Sequence, residues 1–389
     1  MKVLMIAFGH PDNVLTLCKY LTRSIDFNLI FFVSGNIYEE GVLSIKLDSL
    51  NYGLNSYEDS LSILPVNIRD YLGEKFKLRF FRTYDRKLLK DKGLRNLRKI
   101  ISLIKILKKE NYDLIHFNGI AGFIIYFLVF LLRNKKVWTL HDYIPHYGEE
   151  NKKAFKFQKF LMKFNFHHIQ HYKYLKNKII EYYNIPPNKV HHIPTGPLNI
   201  FNAFTPKFII SDKEKYILFF GRISKYKGLD ILIKAFNLIN YNSIDIKLVI
   251  AGRGKLDFEI EVNRNIIFLN RYLKTDELIG LIKNSLFIIV PYVDSTHSAV
   301  VATAYAFSKP VIASDIGGLS EIVKDGTTGF LFPPGDSKAL AYKIEYLINN
   351  RDLIKKLEEN IQKFCSEGDY SWDNITNKMV KLYETVLKG

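Results

Sequence analysis

The stretch 286–332, LFIIVPYVDSTHSAVVATAYAFSKPVIASDIGGLSEIVKDGTTGFLF, limits the fold more than any other, because short apolar runs alternate there with polar, glycine-bearing turns that open helices. Residues 286–290 are a continuous apolar run, as expected of a strand buried on both faces of a parallel sheet, and Pro291 stops it; 310–314 read as another buried strand. After a polar turn, Ala and Val recur at helical spacing over 298–307, with Ser298 placed as the N-cap. The unpaired N–H groups of such a helix's first turn favour a phosphate, and Ser298 and Ala299 are small enough for a ligand to reach the backbone. An ordinary strand-loop-helix unit of a doubly wound α/β domain has the same pattern.

The N-terminal half repeats this alternation. Strands are predicted over 3–8, 27–33, 114–117 and 136–140, with helices over 14–22 and 94–108. At 389 residues, with 48% hydrophobic and 24% charged content, the chain is long and apolar enough for two globular domains. Ligands of open α/β sheets bind beyond the carboxyl ends of strands, where the strand order reverses, which selects particular loops. In Gly9-His10-Pro11, Gly9 stands where the chain turns from strand to helix; no GxGxxG follows, which counts against a nicotinamide dehydrogenase. The loop after 137–140 begins His141-Asp142, a histidine beside a carboxylate that can orient it. His10, His146, His167, His168, His171, His191 and His192 have no such support and are read as surface or core residues.

In the second half, a strand over 216–220 feeds the loop Gly221-Arg222-Ile-Ser-Lys-Tyr-Lys227-Gly228. Arg222 can hold phosphate oxygens with a planar fork, Lys227 as a point charge, and Gly228 opens the helix that follows. A solvated basic loop is the alternative. A further strand over 246–251 ends in Gly252-Arg253-Gly254.

The net charge of +17 is uneven: residues 1–200 carry 31 Lys and Arg against 17 Asp and Glu. A basic first half predicts an anionic partner. Basic residues and aromatics interleave at 75–99 and 152–166; in the second stretch Phe155, Phe160 and Phe164 alternate with Lys156, Lys159 and Lys163, a face suited to an anionic membrane surface. A compositional bias toward Lys, Asn, Ile, Phe and Tyr produces such runs as well. No helix-turn-helix, zinc or stacking motif points to nucleic acid. Residues 120–132 are the most hydrophobic run, but fall short of the ~20 residues a membrane span needs, and are read as a core helix. Cys18 and Cys365 allow no disulfide framework and no cysteine metal site, and the N-terminus lacks a signal-peptide cleavage pattern. A cytoplasmic protein is expected, peripheral on the membrane's cytoplasmic face.

The string SKPVIASDIGGLSEIVKDGTTGFLFPPGD resembles the C-terminal signature of retaining family 4 glycosyltransferases, and FFGRISKYKGLDILIKAF is similar to their donor-phosphate motif; VWTLHD also matches. The resemblance implies a GT-B fold: two Rossmann-like domains, at 1–203 on the acceptor side and 204–369 on the donor side, with residues 370–389 forming a helix that crosses back to the first. It implies a retaining, metal-independent enzyme that moves a sugar from a nucleotide diphosphate sugar to a glycan or lipid-linked acceptor, with no cofactor. His141, Arg222 and Lys227 take the catalytic roles. Gly9, Gly221, Arg222, Lys227, Gly252, Arg271, Tyr272, Ser298, Ala299, Val300 and Thr303 are implied to bind the donor. Many members have two glutamates eight residues apart where Ser295 and Thr303 stand here, so ribose contact is expected to differ, with Asp294 nearby as a substitute acid. A nucleotide-sugar epimerase would need a carboxylate pair the sequence does not place. A catalytically silent nucleotide-sugar-binding protein is the other alternative.

Overall fold

The structure is a computed structural model that describes residues 1–34, 41–84, 92–119, 123–141, 159–162, 164, 166–211, 213–239, 246–255, 264–294 and 298–389, without the side chains of 92–94 and 123–125. The described residues divide into two compact units. The first holds those up to Pro194 together with Trp372–Gly389; the second holds Thr195–Ser371.

The first unit is built on eight strands: β1 (Lys2–Ala7), β2 (Asp26–Val33), β3 (Gly53–Leu54), β4 (Lys77–Arg82), β5 (Leu114–Asn118), β6 (Lys135–Thr139), β7 (His167–Gln170) and β8 (Val190–His192). They lie in the order β3-β4-β2-β1-β5-β6-β7-β8, parallel except for the short edge pair β3–β4. Because β2 lies on one side of β1 and β5 on the other, the strand order reverses at β1 and β5. The loop Phe8–His10 and the end of β5 therefore flank the crevice where such sheets bind ligands. Phe31, Phe80, Phe81, Phe117 and Trp138 are fully buried. Each contributes about 1.5–3 kcal/mol relative to exposure.

The basic stretch 75–99 is in part core. Its first part is β4, whose Leu78, Phe80 and Phe81 are core. Arg79 is buried too, with a fork–fork bond to Glu110, Nη1–Oε1 and Nη2–Oε2 both 2.7 Å, and its guanidinium lies 4.8 Å from the Tyr57 ring. A cation inside a sheet is tolerated when both Nη groups are paired in this way, although Arg79 Nε has no hydrogen-bond partner among the described residues. The apolar run at 120–132 forms the helix Phe123–Leu131, which is only half a core helix. Leu128 and Val129 are buried, but Phe130 is 55% and Leu131 41% exposed.

The helix Trp372–Lys388 belongs to the first unit. Trp372 stacks on Tyr20, with centroids 5.1 Å apart, and the buried Tyr383 hydroxyl lies 2.6 Å from His116 Nδ1 on β5. Residues 370 and 371 stay with the second unit, where Tyr370 stacks on Phe364 and donates to the Glu321 carbonyl.

The second unit has six parallel strands: β9 (Tyr216–Phe220), β10 (Lys247–Ala251), β11 (Ile266–Leu269), β12 (Ile288–Val290), β13 (Val311–Ser314) and β14 (Gly329–Phe332). Their order is β11-β10-β9-β12-β13-β14, so the reversal falls between β9 and β12. Residues 195–203, expected with the first domain, belong here. Leu198 N–H donates to Ala302 O at 3.0 Å, which seats the short helix Asn199–Ala203 against the helix Ala299–Ala306.

Candidate functional site

The second unit's loops converge at the reversal between β9 and β12. Glycine makes the convergence possible. Gly228 has φ +64°, and a Cβ there would lie 1.8 Å from the Pro291 carbonyl oxygen; Val293 N–H donates to Tyr226 O at 2.9 Å, so the loop after β9 lies along the loop after β12. A Cβ on Gly252 would meet the Gly221 carbonyl oxygen at 1.8 Å, and Ile223 N–H donates to Arg253 O at 3.1 Å, which draws in the loop after β10. A Cβ on Gly221 would contact Val300 Cγ2 at 3.5 Å. Thus Gly221, Gly252 and Val300, read as donor-binding from separate parts of the chain, are brought together.

Arg222 and Arg253 are exposed at this mouth, and Lys227 is half-buried. Lys227 Nζ lies 3.6 Å from the centroid of the buried Tyr292 ring and 4.9 Å from that of Tyr226. These two π-faces limit where a flexible ammonium can point. The N-terminus of the helix Ala299–Ala306 adds its dipole, with Ala299 exposed. Cations, backbone N–H groups and close-approach glycines in one place suit the binding of a diphosphate.

Several expectations change here. Ser298 occupies the N-cap position, but its hydroxyl makes no capping bond. Thr303 is buried, and its hydroxyl donates to Ala299 O at 2.8 Å, which counts against a ribose contact. Arg271 Nη1 binds Glu277 Oε2 at 2.7 Å and the Tyr272 carbonyl at 3.2 Å, so its guanidinium anchors the helix Thr275–Asn284 rather than standing open to a base. Tyr272 is exposed. Asn270, not singled out from sequence, ties the end of β11 to the β10 loop by a reciprocal pair with Gly254, N–H to Oδ1 at 3.2 Å and Nδ2 to O at 3.3 Å. Ser295 lies outside the described residues.

In the first unit, His141 follows β6, and its buried ring is 4.4 Å from the ring of His10 and 5.5 Å from that of His171. His141 Nε2 lies 2.8 Å from Asn118 Oδ1 at the end of β5. Asp142, expected to orient it, lies outside the described residues, as does His146. The turn after β1 is made by His10, with φ 52° and ψ 55°, and not by Gly9; a Cβ on Gly9 would meet nothing within 4 Å. His10 and His171 join the site although nothing local marks them. His171 Nδ1 donates to the Ile193 carbonyl at 2.9 Å, and burial pushes its imidazole down to about 4. Among the described residues no group of three or more His, Cys, Asp or Glu is placed to hold a metal ion.

Two family models match the chain: glycosyl transferases group 1 over 201–364 and glycosyltransferase family 4 over 71–196. The chain is similar to group 1 glycosyltransferases over most of its second unit. An uncharacterised glycosyltransferase of Methanocaldococcus jannaschii is 32% identical over 218 residues, 54% of this chain and 57% of that protein. The capsular polysaccharide biosynthesis glycosyltransferase CapM of Staphylococcus aureus is 29% identical over 234 residues, 55% of this chain and 60% of its own. The chain thus matches somewhat more than half the length of these relatives. Among solved structures, sucrose-phosphate synthase from Thermosynechococcus elongatus superposes with a TM-score of 0.68 at 16% identity, each chain covered completely. Anabaena HepE, in complex with UDP-glucose, gives 0.68 at 17% identity over 99% of this chain and 100% of its own. These likenesses show that the chain has the GT-B fold.

Proposed function

We propose that the chain transfers a sugar, with retention of anomeric configuration, from a nucleotide diphosphate sugar to a glycan or lipid-linked acceptor in the synthesis of a surface polysaccharide or glycolipid. The observation that carries this reading is the convergence of Arg222, Lys227 and the helix Ala299–Ala306 where the second sheet reverses its strand order. Charge grows on the diphosphate as it leaves, and fixed cations and N–H groups stabilise that charge more than the neutral glycosidic bond that precedes it. HepE's complex with UDP-glucose supports a nucleotide-sugar donor. His141 contacts the donor sugar or the acceptor hydroxyl. Two protein cations at the leaving group make a divalent ion dispensable in this reading.

The test is turnover, scored as slow hydrolysis across a panel of nucleotide sugars. Arg222→Ala and Lys227→Ala are each expected to lower kcat on the order of 10²- to 10³-fold, as for loss of one oxyanion donor. Activity within about threefold of wild type in both would remove the leaving-group role. EDTA should leave activity largely intact; loss restored by Mg²⁺ or Mn²⁺ would overturn metal independence. Donor binding without turnover would favour the silent nucleotide-sugar-binding protein, a reading to which the buried, helix-bonded Thr303 lends some support.

We also propose a cytoplasmic protein that is peripheral on an anionic membrane. Its support is the apolar face of Tyr126, Phe127, Phe130 and Leu131, with Phe160, 43% exposed, beside it. Among the described residues no helix is long and apolar enough to cross a membrane.

A further inference from the structure

His167 opens β7 and Lys189 directly precedes β8, the last strand of the first sheet, so both lie toward the strands' amino ends, away from the crevice. Ile169 pairs with His191, which puts His167 and His191 on one face of the sheet. His167 Nδ1 lies 2.9 Å from His191 Nε2 with the rings nearly parallel, and Lys189 Nζ lies 3.0 Å from His167 Nε2. An ammonium can only donate, which fixes the rest. His167 Nε2 must present its lone pair. A neutral His167 then carries its one ring hydrogen on Nδ1, donates it to His191 Nε2, and leaves His191 with its own hydrogen on Nδ1. Burial first, then the neighbouring cations, pushes His167 down to about 4 and lowers His191 as well, so both rings are neutral near pH 7. His191 is half-buried, and its Nδ1 is not among the enclosed ring nitrogens, unlike both nitrogens of His168.

The charges that act most on the two rings are all positive. Lys176, on the helix Lys173–Tyr183, and Lys189 act on His191; Lys189 and Lys135, the first residue of β6, act on His167. His168, beside them on β7, is held neutral by burial. We propose that His191 Nδ1–H and Lys176 form an anion site that takes a phosphate group, either free phosphate or the terminal phosphate of a lipid headgroup. A hydrogen fixed on Nδ1 beside an ammonium offers two donors to a tetrahedral anion, and bonds of this charge-assisted kind are roughly twice as strong as neutral ones. Lys189 is a positioning residue: acting through His167, it decides which nitrogen of His191 carries the hydrogen. A bound anion also neutralises a cluster of cations that no carboxylate offsets among the charges acting on these rings. The site depends on neither the sugar-transfer reading nor the membrane reading above.

The experiment is ¹⁵N NMR of the histidine ring nitrogens in the full chain, titrated with inorganic phosphate, with His191 assigned by the signals lost in His191→Gln. Without phosphate, wild type should show Nδ1 of His191 protonated and Nε2 bare. Phosphate should shift the Nδ1 signal saturably and move the ring's titration upward, because an adjacent anion favours the imidazolium. Lys176→Met should weaken phosphate binding on the order of 10- to 100-fold, the loss expected for a hydrogen bond to a charged group. Lys189→Met should give a mixture of tautomers on both rings and a smaller loss, about 2- to 5-fold. A bare Nδ1 in wild type would overturn the inference, and so would a response that does not saturate or an affinity unchanged in Lys176→Met. If Lys176→Met does not fold, the wild-type tautomer, its saturation by phosphate and Lys189→Met still decide. Co-sedimentation with phosphatidylcholine vesicles, with and without phosphatidate, identifies the source of the phosphate. Less sedimentation of Lys176→Met on the phosphatidate vesicles means that the site reads a headgroup; equal sedimentation of wild type and variant means that it takes free phosphate.

Discussion

Lys227 shows how a single residue's direction is set by others far away in the chain. Its ammonium rests against the face of Tyr292, so Tyr292→Leu should leave the charge in place but free its position. A cation–π contact is worth about 0.5–2 kcal/mol, and kcat/KM for the donor should accordingly fall about 2- to 30-fold, well short of the loss in Lys227→Ala. Steady-state kinetics of the two variants side by side checks this. Arg222 and Lys227 were legible in the sequence because both lie in one eight-residue loop whose chemistry is local. Tyr292 was not, being 65 residues away and brought to Lys227 by the packing of Gly228 on Pro291 and the Val293 N–H bond to Tyr226 O. Asn118 and His10 escaped for the same reason, since strand pairing alone brings the ends of β1, β5 and β6 together. His168 is a different kind of residue: it is buried on β7, and neither ring nitrogen has a hydrogen-bond partner among the described residues. Burial pushes His116 and His168 down to about 3, and His167 and His171 to about 4. Unfolded histidine protonates near pH ~6.5, so as pH falls from there the unfolded chain takes up protons that the folded chain refuses. Stability should therefore decline between about pH 6.5 and pH 4, and the decline should level off near pH 3. Denaturant titrations across that range should show a shallower decline for His168→Leu, with no loss at pH 7, since removing an unpartnered buried polar group is close to neutral or stabilising.

At the scale of elements, the loops after β9 and β12 behave as one piece because no side chain separates them. Gly228→Ala must place a methyl against the Pro291 carbonyl in a left-handed backbone conformation, and the two loops have to part. The left-handed conformation alone costs about 1–2 kcal/mol, before the clash is relieved. A lowered Tm together with a lost thermal shift on adding UDP is expected; an unchanged shift would mean that the loops need not touch to bind a diphosphate. The strands that sequence reading found, among them β1, β2, β9, β10, β12 and β13, are short apolar runs, which a sheet covered on both faces requires. Three of the missed ones are polar, while β14, GFLF, and the two-residue β3 were passed over as the ends of turns. β4 reads KLRFFR and hides an arginine behind Glu110; β7 reads HHIQ and β8 VHH, and of their histidines only His168 is core, held neutral by burial. Pattern alone cannot show that a charged or titratable side chain will find its partner 31 residues away.

For the whole molecule, the first unit's charge and its exposed aromatics predict behaviour that the separate sites do not. Phe130, Leu131 and Phe160 are exposed, whereas Phe164 packs against Phe130 and Phe166 and is not available to insert as expected. Phe155, Lys156 and Lys163 lie outside the described residues. Co-sedimentation with vesicles containing anionic lipid is expected, with little on neutral vesicles. It should weaken with salt and in Phe130→Ser/Phe160→Ser, each surface lysine contributing about 1 kcal/mol at low ionic strength. Equal partitioning to both kinds of vesicle, or to neither, would reduce the basic first half to composition. The helix Trp372–Lys388 has a consequence of another sort. Because Trp372 packs on Tyr20 of the helix Pro11–Leu21 and Tyr383 on His116 of β5, a nascent chain leaving the ribosome has the whole second unit in hand while the first still waits for the helix Trp372–Lys388. The order of synthesis is thus reversed in the order of completion, and during that interval the unfinished sheet, with its row of buried phenylalanines, is the part of the chain most in need of a chaperone.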